Sequence, residues 1–212
     1  GIYVLTGEVA GAAGMAAPLA FLAASVVAGF TALSYAELAS RIPLSAGEAA
    51  FVEHGLQNRL LAACSGWGIT LTGILSAAAI TNGFHGYFTQ LLPVSRIPTI
   101  TVVVLLMTLV ASRGVNMAVG AAVFVPLLEI AGLGLVILLA GNHLSALPDR
   151  WTELLPTPDW SSLGGILIGA HIAFFAFIGF EDIVNMAEEV RKPSRNLPRA
   201  ILLSIGISTL LY

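Results

Sequence analysis

The densest group of residues that could do chemistry lies between Phe174 and Glu189, where Gly179, Glu181, Asp182 and Asn185 interrupt an otherwise apolar run. A carboxylate at bilayer depth costs about 2.5–3.5 kcal/mol on insertion scales, so it needs a cavity or a partner. A glycine beside polar residues is also how a spanning helix is broken. Two readings stand: the helix ends at Gly179 and the acids sit in a loop, or it breaks near Ile178–Glu181 and resumes. Ile183, Val184, Met186, Ala187 and Val190 continue an apolar stripe as far as Arg191 and Lys192, which favours the second.

Glu129 is the lone charge between Gly114 and Pro148. It is either a structural carboxyl, protonated or paired with a neighbouring helix, or a group that titrates in a transport path. Glu37 sits at a helix end and is expected to cap or to pair with an arginine, and Glu8 is expected at the outer mouth. His171 reads as a hydrogen-bonded helix-bundle residue rather than a ligand. An intramembrane enzyme using Glu181, Asp182 and His171 as acid–base groups is the alternative. It requires a second set of catalytic residues facing the same cavity, and the sequence offers none. HExxH, GxSxG, P-loop and GxGxxG motifs are absent. The expectation is therefore no enzyme, no cofactor and no metal site, with H+ or Na+ left open as a coupling ion.

The elements that must position these residues are apolar. Of 212 residues, 57% are hydrophobic and 10% charged, against roughly 25% charged in soluble domains. So few charges cannot cover a water-soluble surface, which leaves a bilayer protein. Nine basic against twelve acidic residues give no footprint for nucleic acid. The single cysteine, Cys64, excludes a disulfide framework. Uncharged runs predict spanning helices near 18–38, 60–84, 97–112, 117–140 and 163–189, a half-helix near 3–14 and a truncated one near 199–212. Pro126 is expected to kink the fifth span. Continuous runs rich in Ala, Leu and Gly argue against a barrel. The GxxxG spacings Gly7–Gly11 and Gly165–Gly169 permit close helix approach.

Placing the 38–59 loop in the cytoplasm puts Arg41, Arg59, Arg113, Arg191, Lys192, Arg195 and Arg199 on one side and Arg96 and Arg150 on the other. That is the asymmetry of a multi-pass protein in a cell membrane, plasma or inner. The loop 141–162, with Trp151 and Trp160, is then external. The chain starts at Gly1 rather than Met and stops inside an apolar run, so it is expected to be a single transmembrane domain over 1–212 and a fragment of a longer one. A half-helix at the start and a broken helix five spans later form the arrangement of transporters built from inverted repeats. There, half-helix N-termini bind carboxylates and unwound carbonyls bind cations.

Three stretches resemble one family. Gly1-Ile-Tyr-Val-Leu-Thr-Gly7 resembles the end of the unwound first-helix motif of amino-acid permeases of the amino acid–polyamine–organocation superfamily. Ser34-Tyr-Ala-Glu-Leu-Ala-Ser-Arg-Ile-Pro43 resembles the end of that family's second helix. Phe174 to Glu189, with Arg191-Lys-Pro-Ser-Arg-Asn-Leu-Pro-Arg199, resembles its sixth helix and the following loop. The resemblance implies an all-α membrane protein: a partial inverted-repeat transporter bundle with discontinuous helices one and six. It implies a secondary transporter for amino acids, polyamines or related amines, working by alternating access. Gly1 and Ile2 would receive the substrate carboxylate, and Ile178 and Gly179 the ammonium. Phe175 would be an aromatic gate, Phe180 would join the substrate site, and Glu181 would couple gating to binding. Some proton-coupled members carry a lysine near the position of Glu129, where this chain has an acid.

Overall fold

A computed structural model describes residues 2–113, 115–141, 151–155 and 160–212. It is all-α, with no strand among the described residues. Eight α-helices occur in order among them: α1 (Ile2–Ala13), α2 (Ala17–Arg41), α3 (Gly47–Leu56), α4 (Arg59–Leu91), α5 (Arg96–Ser112), α6 (Val115–Ala140), α7 (Trp160–Phe177) and α8 (Pro193–Leu211). A 3₁₀ stretch, Glu181–Glu189, lies between α7 and α8. By length and composition four runs among the described residues can cross a membrane: Ile2–Arg41, Arg59–Leu91, Val123–Ala140 and Ser162–Glu189. The apolar side chains of the middle two are almost wholly exposed within the chain. Water does not tolerate such a surface, and lipid does.

The chain divides into two compact units, 1–72 with 150–212, and 73–149. In the second, α5 packs against α6, and Arg96 donates to Asn82 Oδ1 from Nε at 3.0 Å and from Nη2 at 2.6 Å. Pro126 lies inside α6 without ending it, and Glu129 is half-exposed within this unit.

The first unit is built around α2, which packs along α7 and α8. Apart from Phe21, its buried face is a stripe of small residues: Ala20, Ala24, Ser25, Ala28, Ala32, Ala36 and Ala39. Small side chains let helix backbones approach closely, which is where association energy comes from in lipid. The same device joins α1 to α7. A Cβ at Gly165 would meet the Ala12 carbonyl oxygen at 2.6 Å, and one at Gly169 the Ala13 Cβ at 3.0 Å. Gly7 and Gly11 have nothing within 4 Å of such a Cβ, so the first GxxxG spacing does no such work here.

Several boundaries shift from the sequence expectation. The span placed at 60–84 runs on to Leu91, because no breaker comes before Pro93. The truncated helix placed at 199–212 starts at Pro193, which suits the first helical turn. The 38–59 loop contains α3, whose ten residues carry an acid in the first turn and a left-handed cap at Gln57. Glu37 does pair with Arg41, at 2.6 Å and one turn apart. Most of the 141–162 loop lies outside the described residues.

The close approach at Gly165 gives a test. In the natural protein, Gly165→Ala forces a methyl onto a backbone oxygen, and overpacking of this kind costs roughly 1–3 kcal/mol. Thermal unfolding in detergent should fall by about 3–10 °C. Gly164→Ala, where nothing lies within 4 Å, should leave it unchanged.

Candidate functional site

The break expected near Ile178–Glu181 is present. α7 ends at Phe177, Ile178 and Gly179 form a turn, and the chain resumes at Glu181. Gly179 carries φ +122, a conformation that L side chains rarely adopt, with open space where a Cβ would stand. Beyond the turn the chain does not form the α-helix that the apolar stripe implied. It forms nine residues of 3₁₀ helix, which is long for that form. Val184 and Ala187, one 3₁₀ turn apart, are both buried.

A helix end leaves carbonyls without i+4 donors, and the residues after it must find partners for their own amides. The Gly179 N–H donates to Glu181 Oε2 at 2.8 Å. The Asp182 N–H donates to the Gly179 carbonyl at 3.3 Å. Glu181 thus folds back onto the break, and its carboxylate is a fixed part of it.

Phe180 is buried and meets Tyr35 of α2 edge-on, with ring centroids 5.7 Å apart. Its backbone belongs to the break, while its ring belongs to α2. Tyr35 also packs edge-on against Phe51, and its hydroxyl donates to Glu48 Oε1 at 3.0 Å. Glu48 is only 8% exposed. Beside it, Gly47 (φ +49) is closely approached by the 3₁₀ stretch: a Cβ would lie 2.6 Å from Asn185 Oδ1 and 3.1 Å from Val184 Cγ2. Further on, the Ser45 N–H donates to Glu188 Oε1 at 3.3 Å, and the Glu188 N–H donates to Ser45 Oγ at 3.0 Å.

The other expected site residues stand at different distances from the break. Ile2 is buried at the start of α1, and its carbonyl accepts the Thr6 hydroxyl at 2.8 Å. Gly1 lies outside the described residues. Contacts of Gly165 with Ala12 and of Gly169 with Val9 run α1 antiparallel along α7, so the start of α1 lies toward the end that carries the break. Phe175 is exposed and packs edge-on against His171 at 5.5 Å. His171 stands six residues before the end of α7, about 9 Å along the axis. It is too far up the helix to share a proton directly with Glu181 or Asp182. Glu129 belongs to the second unit.

Tyr35, Ser45, Gly47, Glu48 and Glu188 also shape the site, and sequence reasoning does not single them out. Glu48 falls in the stretch 38–59 that reads as a loop, where nothing marks it. Nothing local signals that Ser45 meets a residue 143 positions away.

Known proteins share this chain's pattern over its whole length. The family profile "Amino acid permease" matches residues 1–212. The methylthioribose transporter of Bacillus subtilis (strain 168) is 30% identical, the alignment covering 100% of this chain and 49% of the relative. The branched-chain amino acid permease BcaP of the same organism is also 30% identical, with 100% and 49% covered. A vacuolar cationic amino acid transporter 4 of Arabidopsis thaliana is 32% identical, with 100% and 38% covered. The chain spans about half the length, or less, of these curated relatives.

The buried acid gives a test of the site's architecture. Tyr35→Phe removes the hydroxyl that donates to Glu48 and leaves a buried carboxyl short of a partner, which costs roughly 1–3 kcal/mol. The variant should unfold at lower temperature, and the double variant Tyr35→Phe/Glu48→Leu should recover part of the loss. Equal melting of Tyr35→Phe and the unaltered protein would mean that the hydroxyl carries no weight.

Proposed function

We propose that this chain, which belongs to the amino acid permease family, supplies the substrate-binding half of a secondary transporter for amino acids or related amines that works by alternating access. It is a multi-pass membrane protein. The cell membrane is the proposed location, since the arginine and lysine asymmetry is the kind that orients bacterial spans. The relatives compared above are named as transporters, which supports binding and translocation rather than bond-breaking chemistry.

The observation that carries the reading is the break at Ile178–Phe180 inside an apolar run. Broken spans are tolerated only where their backbone lines protein or a water-filled cavity. Such a place offers amides and carbonyls at mid-membrane, the groups that suit a zwitterion. In this reading Gly1 and Ile2 meet the substrate carboxylate, and the carbonyls of Ile178 and Gly179 meet the ammonium. Phe175 closes over the substrate, and the Phe180–Glu181 backbone completes the floor. Relatives named for branched-chain and cationic amino acids make leucine and arginine the first probes to use.

Gly179→Leu in the natural protein is expected to abolish uptake of labelled leucine and arginine while membrane expression stays within about twofold. The side chain would occupy the open space beside the break and strain a backbone that favours glycine. Loss of expression instead would make Gly179 a packing residue.

Coupling is proposed to run through Glu129. An amide at that position keeps size and hydrogen bonding and loses the titration. Glu129→Gln should therefore abolish uptake driven by a pH gradient and spare substrate exchange. Proteoliposome uptake and counterflow measure the two separately, and an unchanged pH response in the variant returns Glu129 to a structural role.

A further inference from the structure

The 3₁₀ stretch Glu181–Glu189 is held at three points by one short piece of chain. Tyr35 takes Phe180, the side-chain-free surface of Gly47 takes Val184 and Asn185, and Ser45 takes Glu188. The three held points, Phe180, Val184–Asn185 and Glu188, fall at nearly even intervals along the stretch. On the α7 side the connection is different in kind. There the stretch hangs from Gly179, whose surroundings are open and whose backbone is of the type that only glycine adopts freely.

We infer that Ser45 and Glu188 are positioning residues for transport, their reciprocal hydrogen bonds seating the 181–189 segment on the 42–46 loop so that the loop, and not α7, sets where the break stands. The inference rests on the break being the substrate site, as proposed above. Neither residue touches substrate in this arrangement. Ser45 works like a helix cap supplied from a distant part of the chain: each residue satisfies the other's amide, as in a capping box, across 143 residues of sequence. Gly47 suits the seat, since its φ of +49 favours glycine and a Cβ there would require the Asn185 side chain to shift. Tyr35, anchored on Glu48, fixes the end of the segment nearest the break. Loosening the far end at Ser45 leaves Gly179 free to pivot, and the backbone groups of the break lose their preset positions. The cost then falls on substrate binding rather than on folding.

The test uses the natural protein in proteoliposomes, with Ser45→Ala, Glu188→Ala, Glu188→Gln and the Ser45→Ala/Glu188→Ala pair. Two readouts are needed. Amide hydrogen exchange over 181–189 should quicken about fivefold in either alanine variant, the factor that one ordinary hydrogen bond is worth. KM for labelled leucine or arginine should rise by a similar factor while kcat stays within about twofold. Glu188→Gln keeps an oxygen acceptor for the Ser45 N–H and should behave as the unaltered protein in both. The double variant should be worse than either single one, because each alanine removes a different one of the two hydrogen bonds. Unchanged exchange in the alanine variants overturns the inference, as does a glutamine variant as impaired as the alanine one, or a loss in kcat with KM unmoved. If the unaltered protein moves neither amino acid, the functional reading fails instead, and the exchange measurement alone then decides whether the seat exists.

Discussion

Everything in the first unit depends on one constraint: backbone amides and carbonyls inside a bilayer must find partners within the protein. An unbroken helix meets it without help. This chain breaks one after Phe177, and the surrounding structure is the answer to that break. The Glu181 side chain returns to the Gly179 amide, and Asp182 closes a turn on the Gly179 carbonyl. Phe180 is driven into the aromatic corner of Tyr35 and Phe51, which fixes the direction the chain takes out of the turn. The 3₁₀ form then keeps Val184 and Ala187 in one buried row. Each step satisfies polar groups locally and so leaves the break ordered without sealing it.

The helical architecture is largely legible in the sequence because long uncharged runs have few alternatives in a membrane. The break is legible too, from a glycine followed by two acids and an asparagine in apolar surroundings. The conformation after the break is not. The apolar residues from Ile183 to Val190 fit an α-helical stripe, and the chain there is 3₁₀ instead. Ser45 and Glu188 are a pairing over 143 residues, and no local propensity encodes such a contact. The α2 alanines show the same limit. Ala20, Ala24, Ala28, Ala32 and Ala36 recur every four residues in the sequence. In a chain this rich in alanine, the spacing gains meaning only once α7 and α8 are seen lying on it.

That alanine face and the glycines of α7 also explain how a broken helix can be held firmly. Lipid chains are as apolar as leucine, so burying large apolar side chains between helices gains little in a bilayer. Close backbone approach gains dispersion contacts that lipid cannot match. α1 lies against α7 in this way. Its contacts, the Ala12 backbone at Gly165 and the small side chains of Ala13 and Val9 at Gly169, bring the two helices close together.

The division of labour between firm and open regions has the same origin. On one side of the break, glycine and alanine contacts lock α7 to α1 and α2. On the other, three contacts of quite different chemistry tie residues 180–188 to the end of α2 and the start of α3: an aromatic edge, a side-chain-free surface, and a pair of exposed hydrogen bonds. The small-residue contacts are close and extended. The exposed hydrogen bonds exchange readily with water and are worth about 1 kcal/mol each. A structure that had to move at the break would yield first at the Ser45–Glu188 contact and last at the Gly165–Ala12 contact. Gly179, between the two, is where the backbone can absorb the change.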